Sequence, residues 1–192
     1  MSKLVVNVGG MFSGKSTQLL RQGERHIRAK HNVVFIKPKT DNRYSDTEIV
    51  THNGQSVVAN VVNPKESIVK YAVDGTDVVL IDEVQFFDKR IVPSIWNLLA
   101  KGITVYASWL DMDFLGDGFE TVNELMAVAD EVNKLHAVCK GCGADAVMSA
   151  KKDFHSIDKS KERVELGADD VYMPLCRKCY IGYMVYGREN NA

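Results

Sequence analysis

Near its N-terminus the chain passes from a β-branched apolar run, Leu4-Val5-Val6-Asn7-Val8, through Gly9-Gly10-Met11-Phe12-Ser13-Gly14-Lys15-Ser16 into a charged, helix-patterned segment. Buried strand, glycine turn, helix is the order a P-loop requires. The glycines let backbone N–H groups converge on phosphate oxygens without a Cβ in the way, and the helix aims its positive end at the same anion. Gly9, Met11, Ser13 and Gly14, followed by Lys15, Ser16 and Thr17, are therefore the candidate residues for ATP and its Mg2+. Lys15 would neutralise the β- and γ-phosphates, and Ser16 would offer a hydroxyl to the magnesium ion.

The pattern around this loop sets the fold class. Apolar strand-like runs recur at Val33–Ile36, stopped by Pro38, at Val57–Val62, at Asp77–Ile81 and at Ile103–Ala107. Between them lie helical patterns from Lys15 to about Lys30, a short one opened by Pro64 and running to about Val73, and Lys89 to Ala100; another follows from Glu120 to Ala129. Such alternation predicts an α/β fold, a parallel sheet with helices on both faces. The polar stretch from Lys39 to Gly54 is too long for a simple connection and reads as a working loop.

The run Val78-Val79-Leu80-Ile81 ends in Asp82-Glu83. A carboxylate here is the expected acidic partner of a P-loop, with Asp82 on the metal's water shell and Glu83 a base for the attacking nucleophile. That nucleophile is water in an ATPase and a substrate hydroxyl in a kinase. The two motifs alone leave both open.

From Lys134 onward the texture changes to short strand-like pieces and a charged stretch from Lys151 to Glu165, so the chain is expected to divide into 1–135 and 136–192. Its four cysteines form two Cys-x-x-Cys pairs, Cys139/Cys142 and Cys176/Cys179. Either pair alone would suit redox chemistry, but together they favour a tetrahedral structural zinc that ties the intervening loop at both ends. A net charge of -1 supplies no field for polymeric nucleic acid or acidic lipid. The N-terminus lacks a signal-peptide pattern, and no apolar run approaches the roughly 18 to 20 residues of a membrane span, so a cytoplasmic protein is expected.

Gly9 to Thr17 and Asp82-Glu83-Val84-Gln85-Phe86-Phe87 together resemble the zinc-containing (type II) thymidine kinase family. The resemblance extends to Asp41-Asn42-Arg43-Tyr44-Ser45, to Leu110-Asp111-Met112-Asp113-Phe114 with Phe119, and to Tyr172 before Cys176, and so covers nearly the whole chain. It implies a P-loop (RecA-like) parallel sheet flanked by helices plus a small C-terminal zinc-binding lasso domain. The implied reaction moves the ATP γ-phosphate to the 5′-hydroxyl of thymidine or deoxyuridine, with Glu83 the base and Arg43 beside the reacting phosphates. Gln85 joins the ATP-binding set by the same resemblance. Met11, Phe86, Leu110, Phe114 and Phe119 would wall the nucleoside pocket, Tyr172 would cover the base, and backbone near Glu165 and Leu166 would read its edge.

Homotetrameric assembly and inhibition by dTTP are further implications of the family. Gly10 departs from a frequent proline, Leu166-Gly167-Ala168 from Ile-Gly-Gly, and Lys151 from a frequent arginine. The rival reading, a P-loop ATPase whose zinc ribbon binds nucleic acid or protein, lacks the excess of basic residues a polymer would need.

Overall fold

The computed structural model describes residues 1–41, 45–152 and 171–186. Along the first two thirds run β1 (Leu4–Val8), α1 (Lys15–Arg28), β2 (Val33–Pro38), β3 (Glu48–Val50), β4 (Ser56–Val58) and β5 (Asn60–Val62). Then come β6 (Val78–Ile81), α2 (Ile91–Ala100), β7 (Thr104–Trp109), α3 (Glu120–Val128) and β8 (Glu131–Lys134). Six strands form one parallel sheet in the order β5-β2-β6-β7-β1-β8. The α/β class read from the alternation is the one observed.

The sheet is apolar on both faces because helices cover both. On one, Val5, Phe35, Val78, Leu80 and Tyr106 pack against Leu19 and Leu20 of α1. Helix α1 lies close because Gly23 faces the ring of Phe35, where a Cβ would come within 2.3 Å. On the other face Val6, Val8, Ile36, Val79, Ile81, Val105 and Ala107 meet Ile95 and Leu98 of α2 and Val122 and Leu125 of α3.

Register then places the chemistry. Ile36 pairs with Ile81, Ile81 with Ala107, and Asn7 with Ser108. The next residues of β2, β6 and β7, namely Lys37, Asp82 and Ser108, thus come level at the carboxyl edge of the sheet beneath the P-loop. This edge is where open parallel sheets bind ligands.

Local differences from the sequence reading have simple causes. The polar stretch holds strand β3, which pairs antiparallel with β4, so the expected strand Val57–Val62 is divided between this hairpin and the main sheet. The helix expected after Pro64 contracts to a 3-10 turn at Ile68–Tyr71, where only Ile68 is buried to anchor it.

After β8 come β9 (Ala137–Val138), β10 (Asp145–Ala146), β11 (Met148–Lys151), β12 (Tyr172–Leu175) and α4 (Arg177–Tyr186). They form two antiparallel ribbons, β9 with β10 and β11 with β12, around a small cluster that includes Cys139, Met148, Leu175 and Tyr180. Among the described residues no helix is long and apolar enough to cross a membrane.

Candidate active site

The P-loop is braced from below and behind. A Cβ on Gly9 would lie 2.2 Å from the carbonyl oxygen of Leu135, so the β1 exit passes β8 where only glycine fits. Gly14 caps α1 in the left-handed conformation at φ 80. Lys15, buried, donates from Nζ to the Gly10 carbonyl at 2.7 Å, and the Ser13 hydroxyl donates to the same oxygen at 2.8 Å. The N–H of Met11 donates to Ser149 Oγ at 2.8 Å, fastening the loop to β11.

Asp82 stands at the sheet edge with its carboxylate enclosed. Ser108 donates to Oδ1 at 2.6 Å, the Glu83 N–H donates to it at 3.0 Å, and the Ser16 hydroxyl bonds to the same side chain. Burial and then the neighbouring Glu83 carboxylate push its carboxyl up to about 6, while the bonds from Ser108 and Ser16 work the other way. A buried carboxylate beside a P-loop hydroxyl is a hard oxygen pair suited to Mg2+.

Glu83 leaves the strand at φ 52, a left-handed conformation that costs a non-glycine residue about 1–3 kcal/mol and separates its side chain from that of Asp82. Its carboxylate accepts a hydrogen bond from the Gln85 amide, whose oxygen in turn accepts the N–H of Leu110 at 3.2 Å.

A cleft of about 460 Å³ opens over these groups. The P-loop residues Met11, Gly14, Lys15, Ser16 and Thr17 line it with Asp82, Glu83 and Leu110; of the described residues expected to wall the nucleoside, Met11 and Leu110 are in the lining, and Phe86, Phe114, Phe119 and Tyr172 are not. Gly9 and Ser13 shape the loop from outside the lining. Phe114, Phe119 and Tyr172 are buried in the cluster that also contains Met11 and Leu110, while Phe86 is half-buried. Arg43, Glu165 and Leu166 lie outside the described residues.

Some lining residues were given no role from sequence. Lys37, only 3% exposed, donates to the carbonyls of Ser45 at 2.8 Å and Glu48 at 3.0 Å and lies 4.0 Å from Asp41. A charge closing an apolar strand is the signal that marked Asp82, and it could have marked Lys37. His52 also borders the cleft, its ring edge-on to Phe12 with centroids 6.0 Å apart. Ser108 and Ser149 carried no sequence signal at all.

The four cysteine sulfurs lie within 4.8 Å of one another. Cys142 and Cys176 are 3.6 Å apart, close to the roughly 3.8 Å edge of a tetrahedron built on Zn–S bonds of about 2.3 Å. Gly141 completes the knuckle, because a Cβ there would come 2.9 Å from Cys179 Sγ. The donor set and the space fit a tetrahedral metal ion, and the crowding of thiols argues for one. Hydrogen bonding with Cys176 and then Cys142 pushes the Cys179 thiol up to about 12.

Comparison with known proteins agrees with this geometry. A family described as thymidine kinase matches residues 2–180. A curated relative named thymidine kinase, from Bacteroides thetaiotaomicron, is 39% identical over 179 residues, which cover 93% of this chain and 87% of the relative.

Proposed function

Since the chain belongs to the thymidine kinase family, we propose the division of labour by which its cleft phosphorylates thymidine in nucleoside salvage. The observation that carries it is the placing of Glu83, in a left-handed turn, at the same cleft as Lys15 and Ser16. Donor phosphates lie along the P-loop, where the N–H groups and Lys15 receive the β- and γ-phosphates. Lys15 exchanges its bond with the Gly10 carbonyl for phosphate oxygen as ATP enters. Ser16 and Asp82 hold Mg2+, which when bound spreads the charge of the β- and γ-phosphates.

Glu83 accepts the proton of the thymidine 5′-hydroxyl as that oxygen bonds to the γ-phosphorus. The bond from phosphorus to the β-bridging oxygen breaks, and ADP leaves. By family resemblance Arg43 would act beside the transferring group, and Gln85 belongs to the same site. Met11, Phe86, Leu110, Phe114 and Phe119 form the apolar side of the acceptor pocket, with Tyr172 and backbone near Glu165 and Leu166 facing the base. An apolar acceptor pocket excludes water and so suppresses ATP hydrolysis.

The chain works as two parts, 1–135 for ATP and 136–192 as a lasso over the nucleoside, with zinc held by Cys139, Cys142, Cys176 and Cys179. This is the zinc-containing subtype. A homotetramer and inhibition by dTTP complete the reading on the strength of family resemblance, with the cytoplasmic location expected from sequence kept beside them.

The test is ATP consumption with and without thymidine, with product identified. Thymidine-dependent formation of dTMP is expected, and nucleoside-independent turnover would sink the assignment. Glu83→Gln should keep ATP and thymidine binding while kcat falls by roughly 10²- to 10⁴-fold.

A further inference from the structure

Gln85 sits two residues beyond Glu83, half-buried in the 3-10 turn Val84–Phe86. The two ends of its carboxamide make bonds of opposite sense. Oε1 accepts the backbone N–H of Leu110 at 3.2 Å, and Nε2 donates to Oε2 of Glu83. The first bond dictates the second. A backbone N–H can only donate, so the oxygen end must face Leu110 and the NH2 end is turned to the carboxylate. Leu110 begins the loop after β7 and lines the cleft, so one side chain joins the candidate base to the candidate acceptor wall.

We propose that Gln85 is a positioning residue for phosphoryl transfer: its carboxamide locks the Glu83 carboxylate and the Leu110 backbone into one frame, aligning base with acceptor. The proposal rests on Glu83 being the base. Two features of the turn give such a lock a task. Glu83 carries a flexible side chain on a left-handed backbone, and it stands next to the buried carboxylate of Asp82. Repulsion between the two carboxylates opposes this placement of Glu83, and the amide donor of Gln85 offsets it. A carboxamide is the group that can donate to the carboxylate and accept from the main chain at once. This assigns Gln85 a task on the acceptor side of the reaction rather than a contact with ATP.

Two substitutions separate its two bonds. Gln85→Glu retains an acceptor for the Leu110 N–H but loses the donor to Glu83. Gln85→Met loses both at similar volume. Losing a hydrogen bond to a charged group corresponds to roughly a 10- to 150-fold effect, so kcat should fall by that factor in both variants. The thymidine KM should rise only in Gln85→Met, and the Kd of a non-hydrolysable ATP analogue on the zinc-loaded protein should stay within about twofold of the unmodified protein's. A uniform loss of folded protein would not produce this split.

The proposal is overturned if kcat in Gln85→Glu stays within threefold of the parent, or if ATP-analogue affinity drops tenfold while kcat is kept. If Gln85→Met fails to fold, Gln85→Glu decides alone. Glu83→Gln is assayed alongside. Full turnover there removes the base reading itself, whereas an inactive Glu83→Gln beside a fully active Gln85→Glu removes only the positioning role.

Discussion

Replacing Ser108 with alanine deletes a single oxygen from beneath the cleft and tests how the acidic strand end is held. Ser108 is fully buried and donates at 2.6 Å to Asp82, itself 5% exposed. A gap of one hydroxyl is too small to hold a water, so Asp82 either keeps only its bonds from Ser16 and the Glu83 N–H or takes up a proton. A hydrogen bond to an ionised group contributes about 1.5–3 kcal/mol, and at about 1.4 kcal/mol per tenfold the loss corresponds to roughly a ten- to hundredfold effect.

The cost should fall on the ionised form, which is the form that Mg2+ requires. The nucleotide-free protein escapes by protonating Asp82, whose carboxyl is already pushed up to about 6. Thermal stability should therefore change little, by no more than about 2–4 °C, while the Mg2+ concentration for half-maximal transfer rises ten- to a hundredfold. Mn2+ binding followed by electron paramagnetic resonance should weaken in parallel. An unchanged metal dependence would refute the reasoning, as would a fall in melting temperature large enough to account for the lost activity.

Lys37→Met strips the donor from two carbonyls inside the cleft wall and should lower unfolding free energy by about 2–4 kcal/mol; an unchanged urea midpoint would refute it. His26, bonded to His31 at 2.9 Å and Tyr106 at 3.1 Å, has its pKa lowered by burial first and then by the nearby charges of His31, Arg25 and Lys3. Its contribution is thus fully present above the unfolded value of about 6.5 and is lost as pH falls below it. The melting temperature should drop more between pH 7.5 and 5.5 in the parent than in His26→Asn, and equal slopes would exclude His26 as the source. Purified protein should carry about one zinc per chain, and stripping it should lower both melting temperature and transfer. Metal-free protein of full activity would contradict the structural role of the cysteines.

What was legible in the sequence is what depends on local order. Gly9 to Ser16 can be recognised because loop, strand and helix are consecutive, and Asp82 and Glu83 because an apolar run ends in charge. The cysteine pairs declare themselves by spacing. Ser108 and Ser149 are invisible by contrast, since a serine acquires a role only when register or packing brings it against a distant partner. Strand β3 was hidden for a related reason: Glu48–Val50 is too short to signal alone and exists by pairing with β4. The aromatic residues lie between these cases. Sequence puts Phe114 and Phe119 near the chemistry, and the structure buries them in the cluster containing Met11 and Leu110, where a side chain can serve core and pocket together.

The cysteine-bearing segment is more than an appendage to the phosphate-binding sheet. Ser149 on β11 accepts the Met11 N–H, and Tyr180 on α4 donates to the Phe114 carbonyl at 2.7 Å. The P-loop and the Phe114 backbone are therefore braced from the same small unit, which also carries the cysteines. Gly10 makes this approach possible: a Cβ there would stand 3.0 Å from Ser149 Oγ, tighter than ordinary contact. A Cβ at this position would require the Ser149 hydroxyl, which accepts the Met11 N–H, to give by a few tenths of an ångström. Glycine at this position thus leaves room for the cysteine-bearing segment to pack closely against the P-loop. Under the proposed reading, a metal ion at the cysteines would steady the geometry of transfer through these two bonds.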